Sequence, residues 1–400
     1  MSDQETSKPL LIRTFGLSIY APTLLMAIGQ GSVLAFVVLS ARDLGASLGI
    51  AGLIFAMRGL GVMVFDIPAG LALARFGPKK AMLISIILTG AFSIVAAFSP
   101  NPIVLGLAIF AVGGATSLWM VSGVGLISES APIDQRGRTM SLIGGSNRIG
   151  AFAGPAIGGF AAEGFGLEAA LLIQAFGAAA ALILVFAFLQ EKNRVRDRTM
   201  HLPLEVRQTL NEHGRSFLTT GIAMVILQLV RQGRQVILPL WADELGLSPS
   251  EIGLVIGFAS SLDMLLFYPV GIVMDRFGRK WSAVPSMSLL GVSLLIVPFT
   301  DSFETLLLVG LLSGFANGLG SGIMMTVGAD LAPRGREGEF LGVWRFITDI
   351  GTSGGPFLVA GIATISTLGL ASIATGGIGI VGAAVMASLA PETLRRRHPG

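Results

Sequence analysis

The chain has 400 residues, of which 52% are hydrophobic and 13% are charged, and its mean hydropathy is +0.77. Soluble proteins carry about 25% charged residues, so this composition excludes an ordinary soluble fold and indicates a protein embedded in the lipid bilayer. The sequence contains no cysteine, which excludes disulfides, thiolate metal sites and thiol catalysis. Its three histidines lie in polar segments, so we expect no metal site and no cofactor.

Apolar runs of about 20 residues, each long enough to cross a ~30 Å hydrocarbon core as a helix, recur along the chain. The sequence therefore predicts an all-α membrane protein with twelve transmembrane helices. A polar, basic stretch in the middle predicts an N-terminal bundle at 1–190, a cytoplasmic linker at 191–215 and a C-terminal bundle at 216–400. The spans cover about 14–39, 49–73, 80–99, 102–127, 139–163, 168–189, 217–242, 250–273, 281–299, 304–328, 340–363 and 369–390.

The two halves of the sequence align without a gap at an offset of 201 residues. At this offset Pro68 meets Pro269, and Gly154-Pro155 meets Gly355-Pro356. Because these matches share one offset and include prolines, they indicate internal duplication of a six-helix unit. Parallel repeats of this kind are an architecture of transporters.

The distribution of lysine and arginine predicts the orientation of the chain in the membrane. With the N-terminus inside, 21 of the 27 basic residues fall in cytoplasmic segments, five lie inside spans and Arg42 lies in an outer loop. Both termini and the linker are therefore expected in the cytoplasm. The basic balance reflects the inner membrane face, so we expect no nucleic acid partner.

Two charged loops occupy equivalent positions in the halves, "GLALARFGPKK" at 70–80 and "GIVMDRFGRK" at 271–280. They resemble the signature loop G-x-x-x-D-R-x-G-R-[RK] of the major facilitator superfamily, and the resemblance covers essentially the whole chain. It implies the major facilitator fold, with two pseudo-symmetric six-helix bundles, and a transporter rather than an enzyme. The gate and signature residues that it implies are Gly70, Arg75, Gly77, Gly271, Asp275, Arg276, Gly278 and Arg279.

The fifth span contains "GAFAGPAIGG" at 150–159, which resembles the G-x-x-x-G-P-x-x-G-G motif of the twelve-helix drug:proton antiporters in that superfamily. Its glycines are expected to strip one helix face of side chains, so that this face rocks against the eleventh span in the other half. A generic small-residue packing helix is the alternative. The packing residues are Gly150, Gly154, Pro155, Gly158 and Gly159.

The chain departs from the family pattern at two places. The first loop has Ala74 where the family has aspartate and Pro78 where it has a basic residue. The resemblance therefore leaves the locking of the outward-open state to Asp275, against the start of the fifth span and either Arg136 or Arg138. The fourth span lacks the embedded arginine that these antiporters often carry, so the family alone does not assign proton coupling.

Eight ionisable residues lie inside the spans, where each costs about 2.5–3.5 kcal/mol to insert and is a functional candidate by default. Arg148 and Asp349 occupy equivalent repeat positions, so we expect them to pair across the halves. A structural explanation is equally good for three others, because Arg234 and Arg345 can snorkel to an interface and Asp66 can cap a helix end. The substrate and proton pathway candidates are Arg58, Asp66, Arg148, Arg231, Arg234, Asp263, Arg345 and Asp349.

A carboxylate that carries the coupling proton must be buried enough to titrate in the working range. Asp263 has apolar neighbours and no acid or base within one turn of its helix. Asp66 lies two turns from Arg58, and Asp349 is expected to stay ionised beside Arg148. The sequence therefore predicts Asp263 as the proton site, with Asp66 second.

Together these features predict a monomeric, multi-pass secondary transporter of the cell inner membrane that exports small amphiphilic organic compounds in exchange for protons. Five arginines against three aspartates within the spans favour anionic or zwitterionic substrates. An importer or facilitator of an organic anion is the alternative. A polytopic enzyme acting on lipid would need a nucleophile–base pair or a metal cluster, and a receptor or scaffold would not need two gate loops and eight buried charges.

Overall fold

The computed structural model describes residues 15–130, 136–189, 214, 217–333 and 337–394, which are helical nearly throughout and contain no strand. Each predicted span coincides with one helix to within a few residues, except that the tenth is broken in two. A π-helical turn precedes α1 (Gly16–Tyr20) and α7 (Phe217–Gly221). The helices are α1 (Ala21–Asp43), α2 (Leu48–Phe76), α3 (Pro78–Ala97), α4 (Pro102–Ser130), α5 (Arg136–Phe165), α6 (Leu167–Phe188), α7 (Ile222–Glu244), α8 (Pro249–Phe277), α9 (Lys280–Ile296), α10a (Phe303–Leu319), α10b (Ile323–Leu331), α11 (Glu337–Ile365) and α12 (Leu368–Ser388).

The helix boundaries repeat at the offset of 201 residues that the sequence predicts. The bounds of α1 and α7 coincide at this offset, and so do those of α2 and α8. The left-handed glycines that reverse the chain after these helices also match: φ is 84° at Gly45 and 73° at Gly246, and 85° at Gly77 and 114° at Gly278. Because an L side chain is strained at such angles, both copies need glycine at these turns.

Ten helical segments of the described residues are long and apolar enough to cross a membrane by length and composition. The other two helices of spanning length, α5 and α7, are more polar, and α7 contains Arg231 and Arg234. Large apolar side chains such as Phe176 (71% exposed) lie on helix surfaces, as expected where the solvent is lipid. The protein is thus an all-α, multi-pass membrane protein.

Glycine contacts between helices are duplicated as well. A Cβ on Gly154 of α5 would lie 2.4 Å from the carbonyl oxygen of Ile28 in α1. Its repeat counterpart Gly355 of α11 would place a Cβ 2.2 Å from the carbonyl oxygen of Leu229 in α7. Small residues let membrane helices approach at backbone distance, so both copies use glycine to join the first and fifth helices of the unit.

The chain forms two compact units. The first contains α1 to α6 together with Leu247–Gly257, and the second contains α7 and the chain from Phe258 onward. The first turns of α8 therefore belong with the first unit, where the amide of Ser250 donates to Glu163 over 3.3 Å.

The glycine motif of α5 serves two faces, so the expectation of a single stripped face is wrong. Gly150, Gly154 and Gly158 lie on α1, where an added Cβ would meet Ala27, Ile28 and Ser32 respectively. The next residue, Gly159, lies instead on the start of α8, where an added Cβ would be 2.5 Å from the carbonyl oxygen of Pro249. Glycines four residues apart share a face, whereas the adjacent glycine is turned by about 100°. Pro155 also faces α8, since its carbonyl oxygen lies 2.3 Å from a Cβ built on Gly253.

Candidate functional site

Two arginines of α7 form the centre of a polar cluster in the second unit. Arg231 and Arg234 are one turn apart, so they lie on neighbouring positions of one helix face. Arg231 donates from Nη2 to the carbonyl oxygen of Asn317 (3.3 Å) and from Nη1 to Oε1 of Gln228 (3.4 Å). Arg234 is 8% exposed and donates to the hydroxyl of Ser313 (3.2 Å). The alternative that Arg234 snorkels to an interface therefore does not apply, because its side chain is buried against α10a.

Asp263 of α8 is half-buried beside this cluster. Its Oδ1 accepts a hydrogen bond from the hydroxyl of Ser321 over 2.6 Å, and its charge acts on Arg234. Within its own helix Asp263 has no acid or base one turn away, as the sequence indicates, but the fold supplies an arginine from α7. Asp263 is therefore held by a hydroxyl and faces a cation.

A hydrogen-bond chain connects Asp349 of α11 to Arg231. Asp349 accepts from Thr352 (3.5 Å), whose hydroxyl accepts from Gln228 (3.3 Å), and Gln228 in turn accepts from Arg231. Asp349 also pairs with Arg345, at 3.7 Å between Nε and Oδ2. Five polar side chains of α7 and α11 are thus linked, and Arg231 extends the link to the backbone of α10a.

The tenth span is broken next to Asp263. The helix stops at Leu319, Gly322 adopts a left-handed φ of 78°, and α10b begins at Ile323. A broken helix at membrane depth is tolerated where other groups satisfy its backbone or where it borders a cavity. Substrate and coupling-ion sites of transporters are often built at such breaks, so this break marks the cluster as the candidate site.

In the first unit the buried charges are more widely separated. Asp66 of α2 accepts a short hydrogen bond from the hydroxyl of Ser117 in α4. Arg58 is two turns away on α2, and among the described residues it has no hydrogen-bond or ion-pair partner. Arg148 is half-buried on α5. Its pairing with Asp349 joins the two units and stays a prediction.

The second signature loop is clamped by Arg279, which is buried. Its Nε donates to Oδ2 of Asp330 at 2.8 Å, its Nη2 to Oδ1 of the same carboxylate at 3.3 Å, and its Nη1 to the carbonyl oxygen of Met274 at 2.6 Å. Asp275 also accepts from Arg279, at 3.3 Å, but its side chain is 77% exposed. Hydrogen bonding to Asp330 is the main reason that the pKa of Arg279 is raised above its ordinary value. Arg279 therefore stays charged and ties the loop to α10b.

The C-terminal segment after α12 closes over this loop. Glu392 accepts from the backbone amides of Arg279 (2.8 Å) and Lys280 (3.1 Å), and Thr393 donates to Asp330 (2.8 Å). Burial by itself would raise the pKa of Glu392, but the backbone hydrogen bonds outweigh it and hold the pKa below its ordinary value. The role of Glu392 was not predicted from the sequence.

The first signature loop makes much weaker contacts. Lys79 reaches the carbonyl oxygen of Phe186 at 3.5 Å, and Arg75 lies 5.5 Å from the ring centre of Phe76. Gly70 and Gly271 are half-buried and Arg276 is exposed. The side chains of Arg136 and Arg138, the predicted partners of Asp275, lie outside the described residues, so that lock stays a prediction.

The described residues contain no group of three or more histidine, aspartate or glutamate side chains that could hold a metal ion. The cluster thus brings the carboxylates of Asp263 and Asp349 into one unit with the guanidinium groups of Arg231 and Arg234. Ser321, Asp330, Glu392 and Thr393 were not among the residues predicted from the sequence. The available signal for Ser321 was the alternation of glycine at 318, 320 and 322 around it.

Comparison with known proteins finds curated relatives of the chain, including two that are named for drug resistance. The chain is 25% identical over 163 residues to the multidrug resistance protein MdtG of Klebsiella pneumoniae, a match that covers 40% of each chain. It is 24% identical over 300 residues to the quinolone resistance protein NorA of Staphylococcus aureus, covering 73% of this chain and 75% of NorA. The chain spans about two fifths of the length of the first curated relatives that it matches.

A solved structure with the same fold is a POT family transporter in complex with a thioalcohol conjugated peptide. It superposes with a TM-score of 0.78 at 14% identity, over 96% of this chain and 97% of that one. The sequence model of the Major Facilitator Superfamily matches residues 12–230 and 220–400. The two matches together cover nearly the whole chain, so the protein belongs to the Major Facilitator Superfamily and is a membrane transporter, not an enzyme.

Proposed function

We propose that the protein is a proton-coupled antiporter that exports small amphiphilic organic compounds by alternating access. MdtG and NorA, the relatives matched above, are named for multidrug and quinolone resistance, which supports efflux of organic compounds. The two homologous units supply the parts that alternating access needs, with membrane-embedded charges in each.

The observation that carries the proposal is the environment of Asp263. Its half-buried carboxylate is hydrogen-bonded by Ser321 and faces Arg234 at a helix break. A group that exchanges protons with both sides of the membrane must be reachable yet partly desolvated, and the half-burial of Asp263 supports this role. Asp66, bonded by Ser117 in the first unit, is the second candidate.

The balance of charge favours an anionic or zwitterionic substrate. In the second unit Arg231, Arg234 and Arg345 stand against Asp263 and Asp349. In the first unit Arg58 and Arg148 stand against Asp66. Each unit therefore carries one more embedded positive charge than negative, which raises the local concentration of anionic groups.

The proposal also covers the location and the oligomeric state of the protein, a monomer in the cell inner membrane. Its basic loops support an orientation with both termini in the cytoplasm. Clamping of the second signature loop by Arg279 and Glu392 fits a gate on the cytoplasmic side, with Asp275 as its exposed member. The alternative, import or facilitated uptake of an organic anion, uses the same arginines but needs no proton exchange at Asp263.

The test uses purified full-length protein in liposomes with an imposed pH gradient and a panel of anionic, zwitterionic and cationic dyes of similar size. We expect the gradient to drive accumulation of the anionic or zwitterionic members in the wild type. Asp263→Asn should lose accumulation while it still exchanges labelled for unlabelled dye. Accumulation by Asp263→Asn with unchanged pH dependence would contradict the assignment, and gradient-independent transport by the wild type would favour the facilitator.

A further inference from the structure

The break in α10 contains three glycines, two of which are in close contact with neighbouring helices and one of which has a left-handed backbone conformation. A Cβ on Gly318 would meet Leu266 and lie 3.1 Å from the Cα of Asp263. A Cβ on Gly320 would lie 2.4 Å from Nη2 of Arg231 and 2.5 Å from the hydroxyl of Ser286. Gly322 has a left-handed φ of 78°. The break is therefore specified by the sequence and fitted closely to α7, α8 and α9.

Side chains from neighbouring helices satisfy the carbonyl groups that the break releases. Ser286 of α9 donates to Ala316 (2.7 Å), Ser282 of α9 to Leu319 (2.5 Å), and Arg231 of α7 to Asn317 (3.3 Å). Unpaired carbonyls at a helix end are costly away from water. The geometry of the break is therefore held by side chains of α7 and α9 and not only by the backbone of α10.

Ser321 lies inside the break and is joined to Asp263 of α8 by the 2.6 Å hydrogen bond. A hydrogen bond to an ionised carboxylate is about twice as strong as one between neutral groups. The bond from Ser321 therefore holds the broken geometry most firmly when Asp263 is charged. Protonation of Asp263 weakens the connection between α8 and the break.

The groups that face Asp263 define what else responds to pH. From α7, Arg234 acts on its charge, and Arg231 is one turn away on the carbonyl of Asn317. From α9 and α10, the hydroxyls of Ser282, Ser286 and Ser321 lie at the break, and Asp330 at the end of α10b pairs with Arg279. Arginine stays charged at all working pH values, and Asp263 is the carboxylate that Ser321 of the break contacts.

We propose that the break in α10 is a proton-controlled hinge, and that Ser321 is the positioning residue that transmits the charge of Asp263 to it. This inference rests on the proposed proton coupling and adds the element that turns proton binding into movement. Charged Asp263 holds α10 broken through Ser321, and protonated Asp263 releases the break so that α10b moves relative to α10a. In the first unit, Ser117 of the unbroken helix α4 donates a similar hydrogen bond to Asp66 of α2. This serine–aspartate pair supplies a matched control.

The experiment needs no substrate, and it uses the absence of cysteine from the sequence. Spin labels are attached at Leu308→Cys in α10a and Met325→Cys in α10b, positions that are 66% and 73% exposed. The labels are about 25 Å apart along the helix axis, which electron spin echo methods measure. The distance is recorded from pH 5 to pH 9 in the full-length protein in lipid nanodiscs.

We expect the wild type to change between two distance distributions with one midpoint. Asp263→Asn should show the acidic distribution at every pH, and Ser321→Ala should lose the pH response. Ser321→Thr, which keeps the hydroxyl, should restore it, and the control Ser117→Ala should leave the response of α10 as in the wild type. A wild-type distance that does not change with pH, or a Ser321→Ala response equal to that of the wild type, would overturn the hinge.

The two measurements distinguish failure of the hinge hypothesis from failure of the proposed function. A pH-independent distance in a protein that accumulates dye with the pH gradient overturns the hinge and leaves proton-coupled transport standing. A distance that titrates as expected in a protein without gradient-driven transport supports the hinge and overturns the coupling.

Discussion

Helices α4 and α10 are copies of one helix, and they differ at the place where the second unit gathers its charges. At the offset of 201 residues, Gly318, Gly320 and Gly322 correspond to Ser117, Trp119 and Val121, and α4 runs unbroken from Pro102 to Ser130. The neighbouring helix changes with it. Ser286 donates across to the broken α10, whereas its counterpart Ser85 donates to Met82 within its own helix.

The difference shows how a duplicated transporter becomes asymmetric. The two repeats share their general architecture, including the bounds of the first two helices, the left-handed glycines at the turns and the glycine contacts between the first and fifth helices. The three glycines of the tenth helix accompany a break whose carbonyls accept hydrogen bonds from side chains of α7 and α9. The two signature loops also differ, since Arg279 clamps the second loop and the corresponding residue of the first is Pro78.

The largest effect on stability is expected from the loop that carries the clamp. Arg279→Gln leaves the partly buried carboxylate of Asp330 without its bidentate partner, which should cost about 3–5 kcal/mol of the free energy of unfolding. The matched change in the first loop, Pro78→Gln, removes no ion pair and should cost less than about 1 kcal/mol. Denaturant titration in detergent measures both. Equal losses would show that the two loops are not held differently.

A smaller effect is expected at the break itself. Gly320→Ala places a Cβ against Arg231 and Ser286, so we expect a loss of about 1–3 kcal/mol from overpacking. Gly377→Ala on α12 is the control, because a Cβ there meets nothing within 4 Å. It should be neutral or stabilise the helix by up to about 1 kcal/mol. If the two alanines had the same effect, the close fit of α10 to α7 and α9 would be wrong.

The smallest effect concerns Glu392, whose side chain is largely exposed. Its pKa is lowered in the folded protein from an ordinary value of 4.5, so its contribution is present above that value and is lost as pH falls through the lowered one. Glu392→Gln should therefore speed hydrogen exchange at the amides of Arg279 and Lys280 near neutral pH. The effect is expected to stay below about 1 kcal/mol.

The same amides give the control for this prediction. In the wild type, exchange protection should fall on acidification to the level of Glu392→Gln at a pH below 4.5. Protection that is the same in both proteins at neutral pH would mean that the C-terminal segment does not hold the loop.

The helices, their duplication and the family could be predicted from the sequence, because apolar length and one constant offset determine them. The break in α10 could not, because glycine in an apolar span is also typical of close helix packing, as at Gly154. Its distinguishing signal was the comparison with Ser117, Trp119 and Val121 in the other repeat.

The charged residues of the candidate site were among the residues predicted from the sequence, but Ser321 and the contacts between the helices were not. Asp263 has no charged neighbour along its own helix, and the arginine that faces it comes from α7, which only the packing of helices reveals. The faces of α5 were assigned incorrectly because Gly158 and Gly159 are adjacent and point to different neighbours. The spacing of residues along one helix predicts which of them share a face, but it does not predict which neighbouring helix packs against that face.

The measurement that tests the central claim most directly is proton movement coupled to substrate exchange, compared between the two units. Full-length wild type, Asp263→Asn and Asp66→Asn are placed in liposomes that contain a trapped pH-sensitive dye, and a transported compound from the panel is added outside. We predict that the compound drives proton movement in the wild type and, at reduced rate, in Asp66→Asn, while Asp263→Asn exchanges the compound without moving protons. Proton movement that persists in Asp263→Asn and disappears in Asp66→Asn would contradict the account, because the coupling carboxylate would then lie in the unit with the unbroken helix.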